Sequence, residues 1–229
     1  MESKYSRPEH DIGALDAHWA DRQMVNMIGS NKTVLEIGCA SGHFGKYLKA
    51  RGCKVSAVEI DPVAVGFARP YYEKIVTTNI EYWESLDSFI GEKFQVILCS
   101  NILEHLVYPT KVLNRLKELL STDGYFVIAL PNVANWNVRW QLLWGNFDYH
   151  DSGIMDEFHL RFFTRKTARV MLEQNGLKVE MESFDWDNGI PKFNGLMMRL
   201  PGGERFLKFF YSLFQTFFAY QYIFKARRK

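Results

Sequence analysis

From residue 33 onward, short runs of β-branched and other apolar residues alternate with longer amphipathic segments. This order is typical of β–α–β units, so the chain is predicted to form an α/β fold around a mostly parallel, doubly wound sheet. The predicted strands cover residues 33–37, 54–58, 74–77, 94–99, 125–130, 177–182 and 219–227. A length of 229 residues fits one such domain.

Several predicted helices carry boundary signals. Asp61 can accept hydrogen bonds from the first free amides of a helix, and Pro62 suits the first helical position. Pro109 opens a helix with an apolar stripe at helical spacing, and Thr164 can cap a helix that ends before Gly176. The sequence therefore predicts helices that connect and follow the strands.

Two features are predicted in the strands that follow. The pair Asp123-Gly124 is typical of a turn, and a strand is predicted to begin directly after it. Farther on, Leu177, Val179 and Met181 alternate with charged residues, which predicts a strand with one buried and one solvated face.

Charge and cysteine content limit the classes of function. The 28 basic and 26 acidic residues nearly balance, and no stretch has the basic character of a nucleic-acid-binding surface, so we expect no nucleic-acid partner. Cys39, Cys53 and Cys99 form no C-x-x-C pair and indicate reduced, buried thiols in a cytoplasmic protein. Residues 1–13 lack an apolar segment, so no secretory signal is expected there.

The segment 34–44 carries the most specific signal, because a strand runs into a turn that contains Gly38 and Gly42. Such a turn lets the backbone approach a ligand closely. The second strand is followed by Glu59, placed to accept hydrogen bonds from a ribose diol. The spacing does not match the G-x-G-x-x-G pattern of dinucleotide sites, and Glu36 would repel a pyrophosphate but attract an ammonium or sulfonium group.

At these residues the chain resembles a class I S-adenosylmethionine-dependent methyltransferase. The run from Glu36 to Gly42 is similar to that family's first motif, with Ala40 where a middle glycine is usual, and Asn79 stands where the family has an acidic residue. The positions that the resemblance assigns to the cofactor S-adenosylmethionine are Glu36, Gly38, Cys39, Ala40, Gly42, Glu59, Ile60, Asn79, Ile80, Ser100, Asn101 and Ile102.

The resemblance continues to the carboxyl terminus and covers one domain. Residues 94–106 are similar to a segment of the ubiquinone-biosynthesis-like methyltransferases, and residues 153–164 to methyltransferases associated with bacterial surface polysaccharides. The family implies a Rossmann-like sheet of seven strands that ends with an antiparallel strand. Residues 30–130 would then hold the cofactor, residues 131–163 would form an insertion at the acceptor site, and residues 164–229 would form the last helices and strands.

The function implied is methyl transfer to a small molecule or glycan, with a hydroxyl oxygen as the favoured acceptor. A quinone-type or lipid acceptor, or a non-catalytic domain that only binds S-adenosylmethionine, stays open as an alternative. His105, Asp156 and His159 are the catalytic candidates, since an imidazole can take the proton of a hydroxyl and Asp156 lies three residues before His159. Their spacing predicts no metal site.

Aromatic residues make up 15% of the chain and are concentrated at its end, where 10 of the 19 positions in 206–224 are aromatic. A helix over 204–218 followed by the last strand explains this by burial in the core. A helix that lies on the inner face of a membrane, with Arg205 and Lys208 near one end, and a homodimer surface are the two other interpretations. The run is too short and too polar to predict a membrane-spanning helix.

Overall fold

A computed structural model describes Ile12, residues 19–185 and residues 191–229. Apart from Ile12, the segment 1–13, for which no secretory signal is predicted, lies outside the described residues. No helix within the described ranges is long and apolar enough to cross a bilayer.

A seven-stranded sheet forms the centre of the fold, in the order β3-β2-β1-β4-β5-β7-β6. The strands are β1 (Thr33–Ile37), β2 (Lys54–Glu59), β3 (Lys74–Thr77), β4 (Phe94–Ser100), β5 (Leu120–Pro131), β6 (Leu177–Phe184) and β7 (Gln221–Arg228). The first five strands pair in parallel, whereas β7 is antiparallel to both of its neighbours. The predicted sheet is therefore confirmed, and its antiparallel strand lies inside the sheet with β6 at the edge.

Helices cover both faces of this sheet. They are α1 (Ala20–Ile28), α2 (His43–Ala50), α3 (Pro62–Ala68), α4 (Pro109–Glu118), α5 (Trp136–Leu143), α6 (Arg165–Gln174), α7 (Pro191–Met198), α8 (Gly203–Leu213) and α9 (Gln215–Phe218). One buried cluster joins α1 and α2 to the sheet, and a second joins α4 and α6 to it. The predicted helix starts hold, since Asp61 accepts from the Val63 amide and Thr164 from the Thr167 amide.

The turn predicted at Asp123-Gly124 is wrong, because β5 already begins at Leu120 and runs through both residues. Leu120 pairs with Phe94, and the register then shifts before Val96 pairs with Tyr125. A Cβ atom on Gly124 would lie 2.9 Å from the carbonyl oxygen of Phe94. The glycine therefore serves a close approach of two strands rather than a turn.

The predicted inner face of β6 is also wrong beyond Val179. The register on β7 shifts between Val179 and Met181, so Met181 is 52% exposed although it continues the apolar alternation. Glu182 turns instead toward α6, where its carboxylate pairs with Arg165 and Arg169. One extra residue in a strand reverses the faces of every residue after it.

The aromatic carboxyl-terminal segment forms two short helices and a strand, where one helix over 204–218 and a strand from 219 are predicted. Leu207 and Tyr211 of α8 are buried against α7 and α9. On the other side of the same helix, Phe209 is 63% and Leu213 61% exposed. Burial in the core therefore accounts for only some of the aromatic residues in this segment.

Candidate cofactor and acceptor site

The order of the strands reverses between β1 and β4, which are adjacent although β2 and β3 lie between them in sequence. In doubly wound sheets, ligands bind beyond the carboxyl ends of the strands at such a point. The glycine turn after β1 and the residues after β4 meet there, because a Cβ atom on Gly38 would lie 2.9 Å from Cδ1 of Ile102. The sequence-predicted cofactor residues from these two segments are thus brought together.

The glycine turn is held open by unusual backbone angles and by one carboxylate. Gly38, Ala40 and Gly42 have φ values of 74°, 44° and 89°, a region that favours glycine. The Ala40 amide donates to Oε2 of Glu59 at 2.8 Å, and Oε1 of Glu59 accepts from the amides of Ile60 and Asp61 at 2.8 and 2.9 Å. Glu59 is thereby fixed beside the turn.

Glu36, the last acidic residue before the turn, is 2% exposed and is oriented by a tyrosine. The Tyr72 hydroxyl donates to Oε2 of Glu36 at 2.7 Å and accepts from the Gly45 amide at 3.1 Å. Burial, and then the charge of Glu36, raises the pKa of Tyr72 well above its usual value, so the phenol keeps the hydrogen that it donates. Sequence analysis missed Tyr72, because no local pattern places it next to a residue 36 positions earlier.

Buried polar atoms at the end of β4 fit a ligand in this crevice. Ser100 Oγ and Asn101 Oδ1 are buried and have no hydrogen-bond partner in the described part of the chain. Asn101 also has a φ of 51°, in the left-handed region that asparagine adopts more often than most other residues. Buried polar atoms are normally paired, so these two indicate where the polar groups of a bound cofactor would lie. The residues present therefore fit S-adenosylmethionine.

The turn after β3 borders the same crevice, since the Thr78 amide donates to the Glu59 carbonyl at 2.9 Å. Asn79 follows it, and its Oδ1 accepts from the Glu81 amide at 2.9 Å, which fixes this turn. Ile80 is buried, whereas Ile60 is 63% exposed. That Asn79 and Ile80 hold the adenine of the cofactor stays a prediction.

Where the insertion 131–163 meets the segment after β4, Glu104, His105 and His159 form one cluster, which we call the Glu–His cluster. One potential ligand atom from each residue lies within 4.8 Å of the others. Oε1 of Glu104 is 3.9 Å from Nε2 of His159, and the two imidazole centroids are 4.6 Å apart. Two of the three catalytic candidates are thus brought together, with Glu104 as a member that sequence analysis did not select.

Burial dominates the electrostatics of the Glu–His cluster. Glu104 is 0% exposed, and its burial, followed by the charge of Asp156, raises the pKa of the carboxyl group to about 8. Burial also lowers the pKa of His159. Neither carboxylate oxygen of Glu104 has a hydrogen-bond partner among the described residues.

The third candidate, Asp156, is not a member of the cluster, although its charge acts on Glu104. Its Oδ1 accepts from the Phe158 amide at 2.8 Å, and its carbonyl accepts from the His159 amide at 3.0 Å. Asp156 therefore shapes the turn that carries His159. Arg161 has a similar structural use, since its guanidinium donates to the Val107 carbonyl.

Backbone contacts fix the insertion 131–163 on the sheet. The amides of Leu160 and Arg161 donate to the Glu104 carbonyl at 2.9 and 3.0 Å, and the Asn132 side chain donates to the Ala219 carbonyl at 2.9 Å. The insertion also contains α5, a helix that the sequence analysis does not predict. A cavity of about 450 Å³ lies between α7 and α8, outside the crevice, whereas the hollow at His159 and Phe162 is too narrow to hold a water molecule.

Comparison with known proteins agrees with this arrangement. The sequence model of a family described as a methyltransferase domain matches residues 17–182. The ubiquinone biosynthesis O-methyltransferase of Pseudomonas fluorescens is 29% identical over 130 residues, which cover 55% of this chain and 54% of that protein. The corresponding protein of Acinetobacter baylyi is 25% identical over 130 residues, which again cover 55% of this chain and 54% of that protein. The chain thus matches about half the length of these curated relatives.

Solved structures share the fold. A SAM-dependent methyltransferase from Archaeoglobus fulgidus superposes with a TM-score of 0.66 at 19% identity, over 91% of this chain and 90% of that one. The magnesium protoporphyrin IX methyltransferase of Synechocystis with bound SAH superposes with a TM-score of 0.59 at 14% identity. The superposition covers 91% of this chain and 83% of that one. Together with the family match, these findings confirm the family predicted from the sequence: the chain belongs to the methyltransferase-domain family, among the class I S-adenosylmethionine-dependent methyltransferases.

Proposed function

We propose that this protein transfers the methyl group of S-adenosylmethionine to a hydroxyl oxygen of a small-molecule or glycan acceptor. The observation that carries the proposal is the Glu59 carboxylate, fixed at 2.8 Å from the Ala40 amide beside a glycine turn at the switch point of the sheet. The acidic pair Glu36 and Glu59 suits a ligand with an ammonium and a sulfonium group.

The cofactor, when bound, supplies a methyl carbon that is activated by a positively charged sulfur. The chain holds it with Glu36, held in turn by Tyr72, with Glu59 at the ribose and with the polar atoms of Ser100 and Asn101. Because that carbon is already reactive, the main contribution of the protein is to orient the acceptor and exclude water.

A hydroxyl acceptor must lose its proton, and we assign its activation to the Glu–His cluster. The Nδ1 atoms of His105 and His159 lie 3.2 and 2.9 Å from the carbonyl oxygens of Phe158 and Ile154. A carbonyl oxygen only accepts, so the hydrogen of each neutral ring is on Nδ1 and the lone pair is on Nε2. Asp156 acts as a positioning residue through its turn.

Calorimetry with S-adenosylhomocysteine tests the cofactor half of this proposal. The intact chain is expected to bind one equivalent, and Glu59→Ala is expected to weaken binding by about 10- to 100-fold, the effect of losing charged hydrogen bonds. Glu73→Ala, which removes an exposed carboxylate outside the crevice, is the matched control. Absence of binding at millimolar ligand would overturn the proposal.

A quinone-type or lipid acceptor is the second candidate, favoured by an exposed apolar surface on α5, α7, α8 and α9. These helices share one buried cluster, and Arg139 of α5 lies over the Phe217 ring of α9 at 5.7 Å. The residues of this surface are Trp140, Leu143, Trp144, Leu196, Phe206, Phe209, Leu213, Phe214 and Phe217. Two of the similar proteins are named as ubiquinone biosynthesis O-methyltransferases.

The same surface supports a cytoplasmic protein that binds the inner face of a membrane. Residues 193–218 carry three basic residues and one acidic residue, a balance that suits anionic lipid headgroups. In a flotation assay, the wild type should rise with vesicles that contain anionic phospholipid, whereas a Phe209→Ser, Leu213→Ser double variant should not. Ile90→Ser, at a residue 78% exposed elsewhere, is the control. A wild-type dimer that the double variant converts to a monomer would assign the surface to self-association instead.

A non-catalytic domain that binds S-adenosylmethionine is a third candidate. It is favoured by Ala40, where the family usually has glycine, and by Asn79, where it has an acidic residue. The two enzymatic candidates predict transfer of labelled methyl groups to a component of a cell extract. Binding of S-adenosylhomocysteine without any such transfer would favour the non-catalytic domain.

A further inference from the structure

Glu36 lies in the centre of the sheet, where its carboxylate has little contact with water. The residue is 2% exposed, and its backbone pairs with Ala57 of β2 and Leu98 of β4. A buried carboxylate is costly unless hydrogen bonds stabilise its charge. The Tyr72 hydroxyl donates one such bond, at 2.7 Å from Oε2 of Glu36. A residue from another segment of the chain thus stabilises the negative charge beside the glycine turn.

The Tyr72 phenol is also held from its other side. Its oxygen accepts from the Gly45 amide nitrogen at 3.1 Å, near the start of α2. The first amides of a helix have no carbonyl partner within it, and they carry a partial positive charge. Hydrogen bonds in a chain strengthen one another, so this amide makes the phenol a stronger donor to Glu36. Tyr72 thereby links the start of α2 to the carboxylate before the glycine turn.

Gly45 is the position that admits the ring. A Cβ atom there would lie 2.3 Å from Cζ of Tyr72 and 2.6 Å from its hydroxyl oxygen. Glycine destabilises a helix relative to alanine, and the space that the phenol needs explains its presence in α2. The segment that carries Tyr72 is fixed to the sheet, because the Glu73 amide donates to the Val55 carbonyl at 2.8 Å. Both sides of the contact are thus shaped for a phenol at this place.

We propose that Tyr72, admitted by Gly45, is a positioning residue that holds the Glu36 carboxylate in place for the ammonium group of the cofactor. This inference rests on the proposed binding of S-adenosylmethionine, and it names the residue that makes the site select a positively charged amino-acid part. Glu59, which the proposed function places at the ribose, is held by backbone amides instead. Loss of the Tyr72 hydroxyl should therefore affect one end of the cofactor and not the other.

Two ligands separate these ends in calorimetry. S-adenosylhomocysteine carries the ammonium group, whereas 5′-methylthioadenosine has the same adenosine and sulfur but no amino-acid part. Tyr72→Phe removes a hydrogen bond to a charged group, so it should weaken S-adenosylhomocysteine binding by at least about 10-fold. Binding of 5′-methylthioadenosine should be unchanged. Gly45→Ala displaces the phenol and should give the same selective loss. Tyr125→Phe is the matched control, because its hydroxyl donates to the Met27 and Ile28 carbonyls, outside the crevice.

A double-mutant cycle shows whether Tyr72 acts through Glu36. In a Glu36→Gln background, Tyr72→Phe should weaken S-adenosylhomocysteine binding by about threefold or less, because no carboxylate is left to position. A merely structural role of the phenol would give the same loss in both backgrounds. Circular dichroism checks that every variant folds.

The outcomes separate this inference from the proposed function. A wild type that binds neither ligand would refute both. If the wild type binds S-adenosylhomocysteine, three results would overturn the role of Tyr72 alone. These are equal binding by folded Tyr72→Phe, a parallel loss of both ligands, and an undiminished loss in the Glu36→Gln background.

Discussion

The clearest local test of the cofactor site concerns Ala40, whose φ of 44° lies in the left-handed region. That conformation costs an L-residue about 1–2 kcal/mol because Cβ approaches the following carbonyl oxygen. The turn tolerates it because the Ala40 amide donates to Glu59 at 2.8 Å. Ala40→Gly removes the Cβ and keeps the amide, so the strain disappears and the hydrogen bond remains.

The net effect is the difference between two terms. Removing the strain gains about 1–2 kcal/mol. Glycine gives back about 0.4–1 kcal/mol through the larger entropy of the unfolded chain. Ala40→Gly should therefore increase the free energy of unfolding by up to about 1.6 kcal/mol, which corresponds to a rise in melting temperature of up to about 6 °C for a chain of this size.

Urea unfolding of Ala40→Gly and of a control measures this difference. The control is Ala50→Gly, at an exposed helical position of α2, where glycine should cost up to about 1 kcal/mol. S-adenosylhomocysteine should bind to Ala40→Gly at least as tightly as to the wild type, because the missing Cβ widens the turn. Destabilisation of both variants by the same amount would refute the argument from backbone strain.

Three further outcomes are expected. Gly42→Ala should destabilise the fold by about 2–4 kcal/mol, since its φ is 89° and the new Cβ would lie 2.8 Å from Cα of Ala68; denaturant unfolding measures it. Burial raises the pKa of the Cys99 thiol, so a thiol reagent at pH 8 should react with it only after unfolding, as mass spectrometry of the labelled chain would show. Leu207→Ala should cost about 2–5 kcal/mol by the same unfolding assay, whereas exposed Phe209→Ser should cost little.

Sequence signals were sufficient wherever structure depends on neighbouring residues. The glycine turn, the Asp61 cap and the Thr164 cap each arise from contacts within a few positions, and all lie where predicted. Met181 and Glu182 differ, because a register shift on β7 decides their faces and the partner strand is about 40 residues away. The charges of Arg165 and Arg169 then stabilise the inward position of Glu182.

The Glu–His cluster shows the same limit at the site. Glu104 and His105 end a turn after β4, while His159 comes from the insertion, so no ligand spacing along the sequence can indicate them together. Burial decides the chemistry of Glu104, and burial is a property of the folded chain. The sequence predicted two of the members as candidates, but could not predict that a carboxylate would be enclosed between them.

The two halves of the site are therefore built by different means. The cofactor half consists of backbone conformations and short-range contacts, such as those of Glu59, and belongs to the sheet itself. The proposed acceptor half depends on the insertion, which the amides of Leu160 and Arg161 attach to the Glu104 carbonyl. This attachment uses the backbone of Glu104, so the side chains of the insertion can vary without moving the turn that carries it. Changes of acceptor should therefore map to residues 131–163 and leave cofactor binding intact.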